Sequence, residues 1–233
     1  MISLISLIFI VWITGQGHAG SLTPLQVSIW NPVQLFSQDS SVYGLRLDFP
    51  YGNNKNVYGV DMGLFNQISE RGGGIQVGID NSFMSSNLSW TPDQSFSGIR
   101  VGICNGGSNF KGFQLGLVNF CYLTVDENGK GGYFSGIAIG GINLTLYTTG
   151  FQFGASNSAN IMNGIQFGEI NAVQKKLTGV QISIFLLNMA DEVEGFQFGL
   201  VNYTRKMRGI QVGLVNIIRD SPLFFWPIVN AYF

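Results

Sequence analysis

The sequence predicts an all-β protein, and three observations carry that expectation: a recurring eight-residue motif, apolar residues at alternate positions within it, and glycine at its start and centre. The motif is G-Φ-x-Φ-G-Φ-x-N, where Φ is apolar. Gly59-Val-Asp-Met-Gly-Leu-Phe-Asn66 is a complete copy, and further copies begin at Gly74, Gly98, Gly112, Gly136, Gly150, Gly164, Gly195 and Gly209. A degraded copy begins at Gly179 and a partial one at Gly44. Successive starts lie 14 to 16 residues apart, except for two steps of 24, from Gly74 to Gly98 and from Gly112 to Gly136, which read as loop insertions.

Apolar residues at motif positions two, four and six follow the two-residue period of a strand, and helical spacing does not fit them. From Gly59 onward these sites are apolar except at Gly141 and Glu169. The opposite face alternates glycine with a mostly polar third residue. A glycine inside a strand costs stability unless it permits curvature or close backbone approach, so position five predicts a tightly curved sheet with small residues on its concave side.

Composition bounds the function. The chain has 233 residues, 32 of them glycine and 19 phenylalanine, and only 11% are charged, against roughly 25% in an ordinary soluble domain. A formal net charge of −1 with scattered basic residues excludes a nucleic-acid partner, which requires a dense Lys/Arg face. Residues 1–19 carry an apolar run from Ile2 to Ile13 and a small-x-small triplet at Gly17-His18-Ala19, the pattern of a secretory signal peptide. No Lys or Arg precedes the run, so an uncleaved anchor is the alternative. Residues 20–43 form an N-terminal strand-like segment, and 44–233 form a single repeat β domain. Cys104 and Cys121 lie in no metal or redox spacing and read as inert.

Repeats of this length suit either antiparallel hairpins or the parallel coils of a β-solenoid. A straight motif spans roughly 23 Å at about 3.3 Å per residue, and the connecting residues are too few to return along it and cross a sheet spacing. The expected architecture is therefore an antiparallel up-and-down β-barrel of about 12 to 14 strands built from 14 to 16-residue repeats, with a β-solenoid as the alternative. Three features point to a membrane barrel. The terminus Phe224-Phe-Trp-Pro-Ile-Val-Asn-Ala-Tyr-Phe233 is aromatic, as in the last strand of outer-membrane barrels. Aromatic residues, among them Tyr43, Tyr58, Tyr133 and Tyr147, flank the motifs where interfacial girdles belong. Twelve strands counted from Gly44 place both long insertions on one side. Leu25 to Phe36 also alternates and would join the barrel, plug it or pair with a neighbouring strand.

In that barrel the third motif residues face the lumen. They are Arg46, Asp61, Gln76, Arg100, Gln114, Gln152, Gln166, Gln181, Gln197 and Gln211.

Asn31-Pro-Val-Gln-Leu-Phe36, Gly44-Leu-Arg-Leu47, Val57 to Asn66 and Gly195-Phe-Gln-Phe-Gly-Leu-Val-Asn202 resemble a bacterial surface-repeat family typified by leptospiral proteins. The resemblance covers most of the chain after the leader. It implies a bacterial surface location and, because the family has no established activity, implies no site. The copy at Gly179 departs from the pattern, with Ser183 and Leu186 in place of glycine and asparagine.

The single histidine, His18, lies in the leader, so the mature chain lacks the imidazole that Ser-His or Cys-His catalysis and histidine-bound metals require. Asp126-Glu127 and Asp191-Glu192-x-Glu194 sit in turns, where solvated charge is a simpler reading than calcium. Arg205-Lys206-x-Arg208 could likewise meet lipid phosphates or remain a solvated turn. Asn87-Leu-Ser and Asn202-Tyr-Thr are short matches to a glycosylation acceptor. The expectation is a non-enzymatic outer-membrane β-barrel surface protein or narrow pore, in contact with membrane lipid and with no cofactor, metal or catalytic residue. A secreted or surface-attached β-repeat protein acting in adhesion or assembly is the alternative.

Overall fold

In the computed structural model, residues 20–30, 33–82, 93–121 and 132–233 are described. The signal segment with His18, the Asn87 acceptor and the Asp126-Glu127 pair lie outside them. Strand accounts for 88% of the structure, with no helix among the described residues. The chain divides into two compact units, Met1–Leu115 with Leu123–Gly131 and Gly116–Tyr122 with Gly132–Phe233.

In the first unit, β1 (Leu22–Trp30) pairs in parallel with the start of β3 (Ser41–Val77), bringing Gln26 beside Arg46 and Ser28 beside Asp48. The short β2 (Val33–Gln34) folds back antiparallel onto β1. β3 runs 37 residues, which would be about 120 Å if straight. It winds instead, so that Arg46 reaches Asp61 and Gln76 reaches Asp61, in each case 15 residues along the chain. β4 (Asp80–Ser82) lies parallel on Phe65–Gln67, and β5 (Ser95–Val101) lies parallel on β3 with Gly98 beside Gly74. β6 (Cys104–Gly107) continues over β4, and the first part of β7 (Asn109–Cys121) continues over β5 with Gly112 beside Gly98.

The second unit repeats this plan. β8 (Tyr133–Thr145) is parallel to the start of β9 (Tyr147–Ile218), with Gly136 beside Gly150 and Asn143 beside Asn157. β9 is 72 residues of continuous strand wound into successive coils. β10 (Phe225–Tyr232) then reverses direction and pairs antiparallel with the last coil, Tyr232 beside Gly209.

Equivalent motif positions therefore stack in parallel and in register, which overturns the expected antiparallel barrel of 12 to 14 strands. The reach calculation failed because it treated each motif as straight and required a return across stacked sheets. A closed circuit of 14 residues has a perimeter of only about 46 Å, and each circuit advances by one strand spacing of about 4.8 Å. The terminal aromatic strand pairs with the preceding coil, and its register and direction do not continue the stack. The flanking aromatic residues stack coil on coil, Tyr43 on Tyr58 at 5.0 Å and Tyr133 on Tyr147 at 4.9 Å, where an interfacial girdle was expected.

The first glycine of each motif makes the circuit close. In the second unit Gly150, Gly164, Gly179, Gly195 and Gly209 have φ between 134° and 149°, a region that side chains with a Cβ avoid. A Cβ on any of them would collide with the carbonyl oxygen of the equivalent glycine one coil earlier. The glycine at position five meets the same limit from inside: on Gly168 a Cβ would strike the Gly154 carbonyl.

In-register stacking puts like residues over like, and amides exploit this. The motif asparagines of the second unit form a ladder in which each Nδ2 donates to the Oδ1 one coil later: Asn143 to Asn157 at 2.8 Å, Asn157 to Asn171 at 2.8 Å, Asn171 to Asn188 at 2.9 Å, Asn188 to Asn202 at 2.8 Å and Asn202 to Asn216 at 2.8 Å. Each also donates to a backbone carbonyl of the next coil, as Asn157 does to Phe167 at 3.0 Å. The glutamines run the other way, each Nε2 donating to the Oε1 one coil earlier: Gln166 to Gln152 at 2.8 Å, Gln181 to Gln166 at 2.9 Å, Gln197 to Gln181 at 2.7 Å and Gln211 to Gln197 at 2.8 Å. An aliphatic cluster of Ala159, Met162, Val173, Leu177, Ala190, Val193, Met207 and Ile218 fills the rest of this interior.

The degraded copy is repaired by displacement. Gln181 and Asn188 are separated by two residues more than Gln166 and Asn171, and the extra residues bulge outward so that Asn188, and not Leu186, completes the ladder. Asn188→Ala should lower stability by about 1–3 kcal/mol, the cost of leaving ladder neighbours unsatisfied. Leu186→Asn should give no gain. Urea unfolding of the full chain followed by circular dichroism measures both, and an unchanged midpoint for Asn188→Ala would refute the ladder's role.

Candidate functional site

All ten third-position residues are buried, and the interior they face is filled by side chains. Gln152, Gln166, Gln181, Gln197 and Gln211 are the glutamine ladder of the second unit. In the first unit the interior carries charge. Arg46 donates from Nε and Nη2 to the two oxygens of Asp61, both at 2.7 Å, and from Nη1 to the Gln67 carbonyl at 2.7 Å. Gln76 donates to Asp61 at 2.9 Å. Arg100 lies 4.3 Å from the Phe96 ring centre and 5.2 Å from that of Phe110, and its Nη1 donates to the Gly106 carbonyl at 2.9 Å. Gln114 sits beside Arg100 in the parallel register.

Asp48 is the charged partner that sequence spacing did not single out. Its Oδ2 lies 2.9 Å from Arg46 Nε, yet that N–H is directed at Asp61, so the contact is an ion pair without a hydrogen bond. Ser28 donates to its Oδ1 at 2.7 Å. Burial raises the Asp48 carboxyl to about 6 despite the lowering effect of Arg46, and Asp61 pushes in the same direction as burial. Burial would lower the Arg46 guanidinium, but Asp61 and Asp48 outweigh it and leave it above its ordinary value.

The polar residues having gone inside, the apolar motif positions face outward. In the second unit Ile137, Phe153, Ile165, Phe198, Leu200, Ile210 and Leu214 are all exposed, Leu214 at 65%. The same positions are exposed in the first unit at Val60, Met62, Ile75, Ile79, Ile99 and Ile103. Scattered apolar residues on a surface need no explanation, but ladders of them repeated coil after coil mark an interaction surface.

One place on this face in the second unit departs from the repeat. Position six holds Ala155 and then Glu169 where bulkier apolar residues are the rule, leaving a trough. The next coil overhangs it, because the bulge that displaces Asn188 projects Ile184 and Phe185 outward, Phe185 being 69% exposed. Ser183, in place of glycine at position five, anchors that bulge: its Oγ donates to the Glu169 carbonyl at 2.6 Å and accepts from the Leu186 N–H at 3.2 Å. The result is a cleft of about 290 Å³ floored by Gly140, Gly154 and Gly168 and walled by Phe153, Phe167, Glu169, Ile184 and Phe185. Phe153 and Phe167 stack at 5.1 Å with their planes 8° apart. Among the described residues Glu169 makes no salt bridge. In sequence the signal was present as three separate irregularities, Glu169, Ser183 and Leu186, whose common location depends on the coil register.

The charged residues expected in turns lie within β9, outside the lining of this cleft, and satisfy each other. Arg205 pairs bidentately with Asp191 at 2.6 and 2.8 Å, and Lys176 pairs with Glu194 at 2.9 Å. These hydrogen bonds hold Asp191 and Glu194 below the ordinary carboxylate range. Cys121 donates from Sγ to the Tyr133 carbonyl at 3.1 Å, and no cluster of three metal-ligating side chains occurs among the described residues. No family model, curated protein or solved structure matches the chain.

Asp48 gives a pH dependence of defined sign. Its folded value lies above the ordinary 3.8, so the stability it contributes is present below about pH 4 and is lost as pH rises through about 6. Asp48→Asn should remove that dependence. Between pH 4.5 and 7.5 the unmodified protein should lose on the order of 2 kcal/mol more stability than the variant, measured by urea unfolding at both pH values. Parallel pH profiles would show that Asp48 does not titrate in this window.

Proposed function

We propose that the chain is an exported, non-enzymatic surface β-repeat protein that attaches through its apolar outer face to membrane lipid at the bacterial cell surface. The observation that carries this reading is the partition of the motif: hydrogen-bonded amides fill the interior and aliphatic and aromatic side chains are left outside. A protein that turns its apolar positions outward in regular ladders presents a surface suited to an apolar phase. The leader-like residues 1–19 and the resemblance to leptospiral-type surface repeats support export and a surface location. The sole histidine falls within the leader, which supports a non-enzymatic role.

A second reading, assembly with other copies, draws on β10. Trp226, Ile228, Val229 and Tyr232 are exposed, and an apolar edge strand is a template for further pairing. Flotation of the purified mature chain with lipid vesicles separates the two. Attachment should carry the protein upward with the vesicles, and Leu200→Glu with Leu214→Glu should weaken partitioning roughly tenfold without changing the circular dichroism spectrum. Protein that stays at the bottom as a monomer would overturn lipid attachment; protein that stays there as a concentration-dependent oligomer would replace it with assembly.

A further inference from the structure

The geometry points to the cleft around Glu169 as a binding site for a small amphipathic cation, an ammonium group carried on an aromatic or short alkyl body. The cleft combines three properties that a passive irregularity in a repeat would not need to share. It is concave, because residues at position six shrink while the next coil bulges over them, and its volume of about 290 Å³ is near the lower bound of small-ligand pockets. Its walls are aromatic: Phe153 and Phe167 present stacked rings, and Phe185 is held out over the trough. Its one charge is a carboxylate, set among residues that otherwise offer no ionic partner.

Charge complementarity selects the occupant. A carboxylate at the rim of an apolar trough favours a cation and disfavours an anion of the same shape, and the protruding Phe185 ring adds attraction for an ammonium group lying over its face. The apolar body of the ligand would displace water from Phe153, Phe167 and Ile184. The cleft is too small for a folded partner.

Phe185 and the serine-anchored bulge would set specificity, since they determine how far the roof covers the trough. The bland account of Glu169 is a charge placed on an exposed apolar face to discourage aggregation. That account predicts no ligand selectivity.

Isothermal titration of the purified mature chain, without vesicles, decides between them. The probes are benzyltrimethylammonium, tetramethylammonium and benzenesulfonate. The site predicts one benzyltrimethylammonium per chain, with tetramethylammonium and benzenesulfonate each about tenfold weaker or more, because one lacks the ring and the other the cation. Glu169→Gln and Phe185→Ala should each weaken benzyltrimethylammonium about tenfold, while Glu194→Gln, at a carboxylate paired with Lys176 away from the cleft lining, should leave it unchanged. Both cleft variants alter exposed side chains, and urea unfolding confirms that they fold. No binding up to millimolar concentrations, equal binding of cation and anion, or equal affinity in Glu169→Gln would each overturn the proposal. Because no lipid is present, failure here leaves the flotation result to stand or fall separately.

Discussion

The structure depends on the contact between the first glycine of one motif and the carbonyl of the first glycine one coil earlier. That contact leaves no room for a Cβ and demands a positive φ, so it occurs only where glycine recurs at the proper interval. Once it is made, the two coils are in register, and everything that follows in the motif is superposed on its counterpart. Glutamine falls on glutamine, asparagine on asparagine, and the position-five glycine again on backbone. Insertions are tolerated only where they leave this superposition intact, as at Ser183 to Leu187, where the extra chain is pushed outward and Asn188 keeps its place.

Register also explains why polar residues occupy the inside. A buried amide is costly alone, but in an in-register stack each amide finds an identical partner one coil away and its remaining hydrogen goes to a backbone carbonyl. Glycine and amide side chains are compact or planar, so coils can be narrow. The apolar motif positions are then left outside, while apolar residues between motifs are enclosed, Ile68, Phe96 and Phe110 in the first unit and the cluster around Met162 and Leu177 in the second. The first unit replaces part of the amide ladder with Arg46 and Asp61, and Asp48 beside them makes that interior lose stability as pH rises through about 6, which the glutamine ladder does not.

The repeat, its strand period and the inward position of its small residues could be read directly from the sequence. Pairing direction could not. Alternation within a strand is the same whether its neighbour is parallel or antiparallel, and a straight-strand estimate takes no account of the positive φ at the first glycine of each motif. The polarity of the two faces was legible, but their sense was open to inversion: Gln152 through Gln211 look like a lumen lining if the apolar side meets lipid round a barrel, and like a packed interior if coils stack. Asn188 was legible by counting back seven residues from Gly195, as Asn202 precedes Gly209 by seven, yet the motif read forward from Gly179 points to Leu186. The cleft was invisible because Glu169 and Phe185 come together only through the coil spacing.

The opposed directions of the two amide ladders have an electrostatic consequence. Asparagine amides donate toward later coils and glutamine amides toward earlier ones, so their dipole moments point in contrary senses along the same axis. Had both pointed alike, each added coil would lengthen one large dipole and accumulate partial charge at its ends, as peptide units do in a long helix. Cancellation keeps the net axial dipole of the two ladders small at any number of coils. Repeat number in such a chain is thus free to drift by duplication or loss of single units without an electrostatic penalty that grows with length.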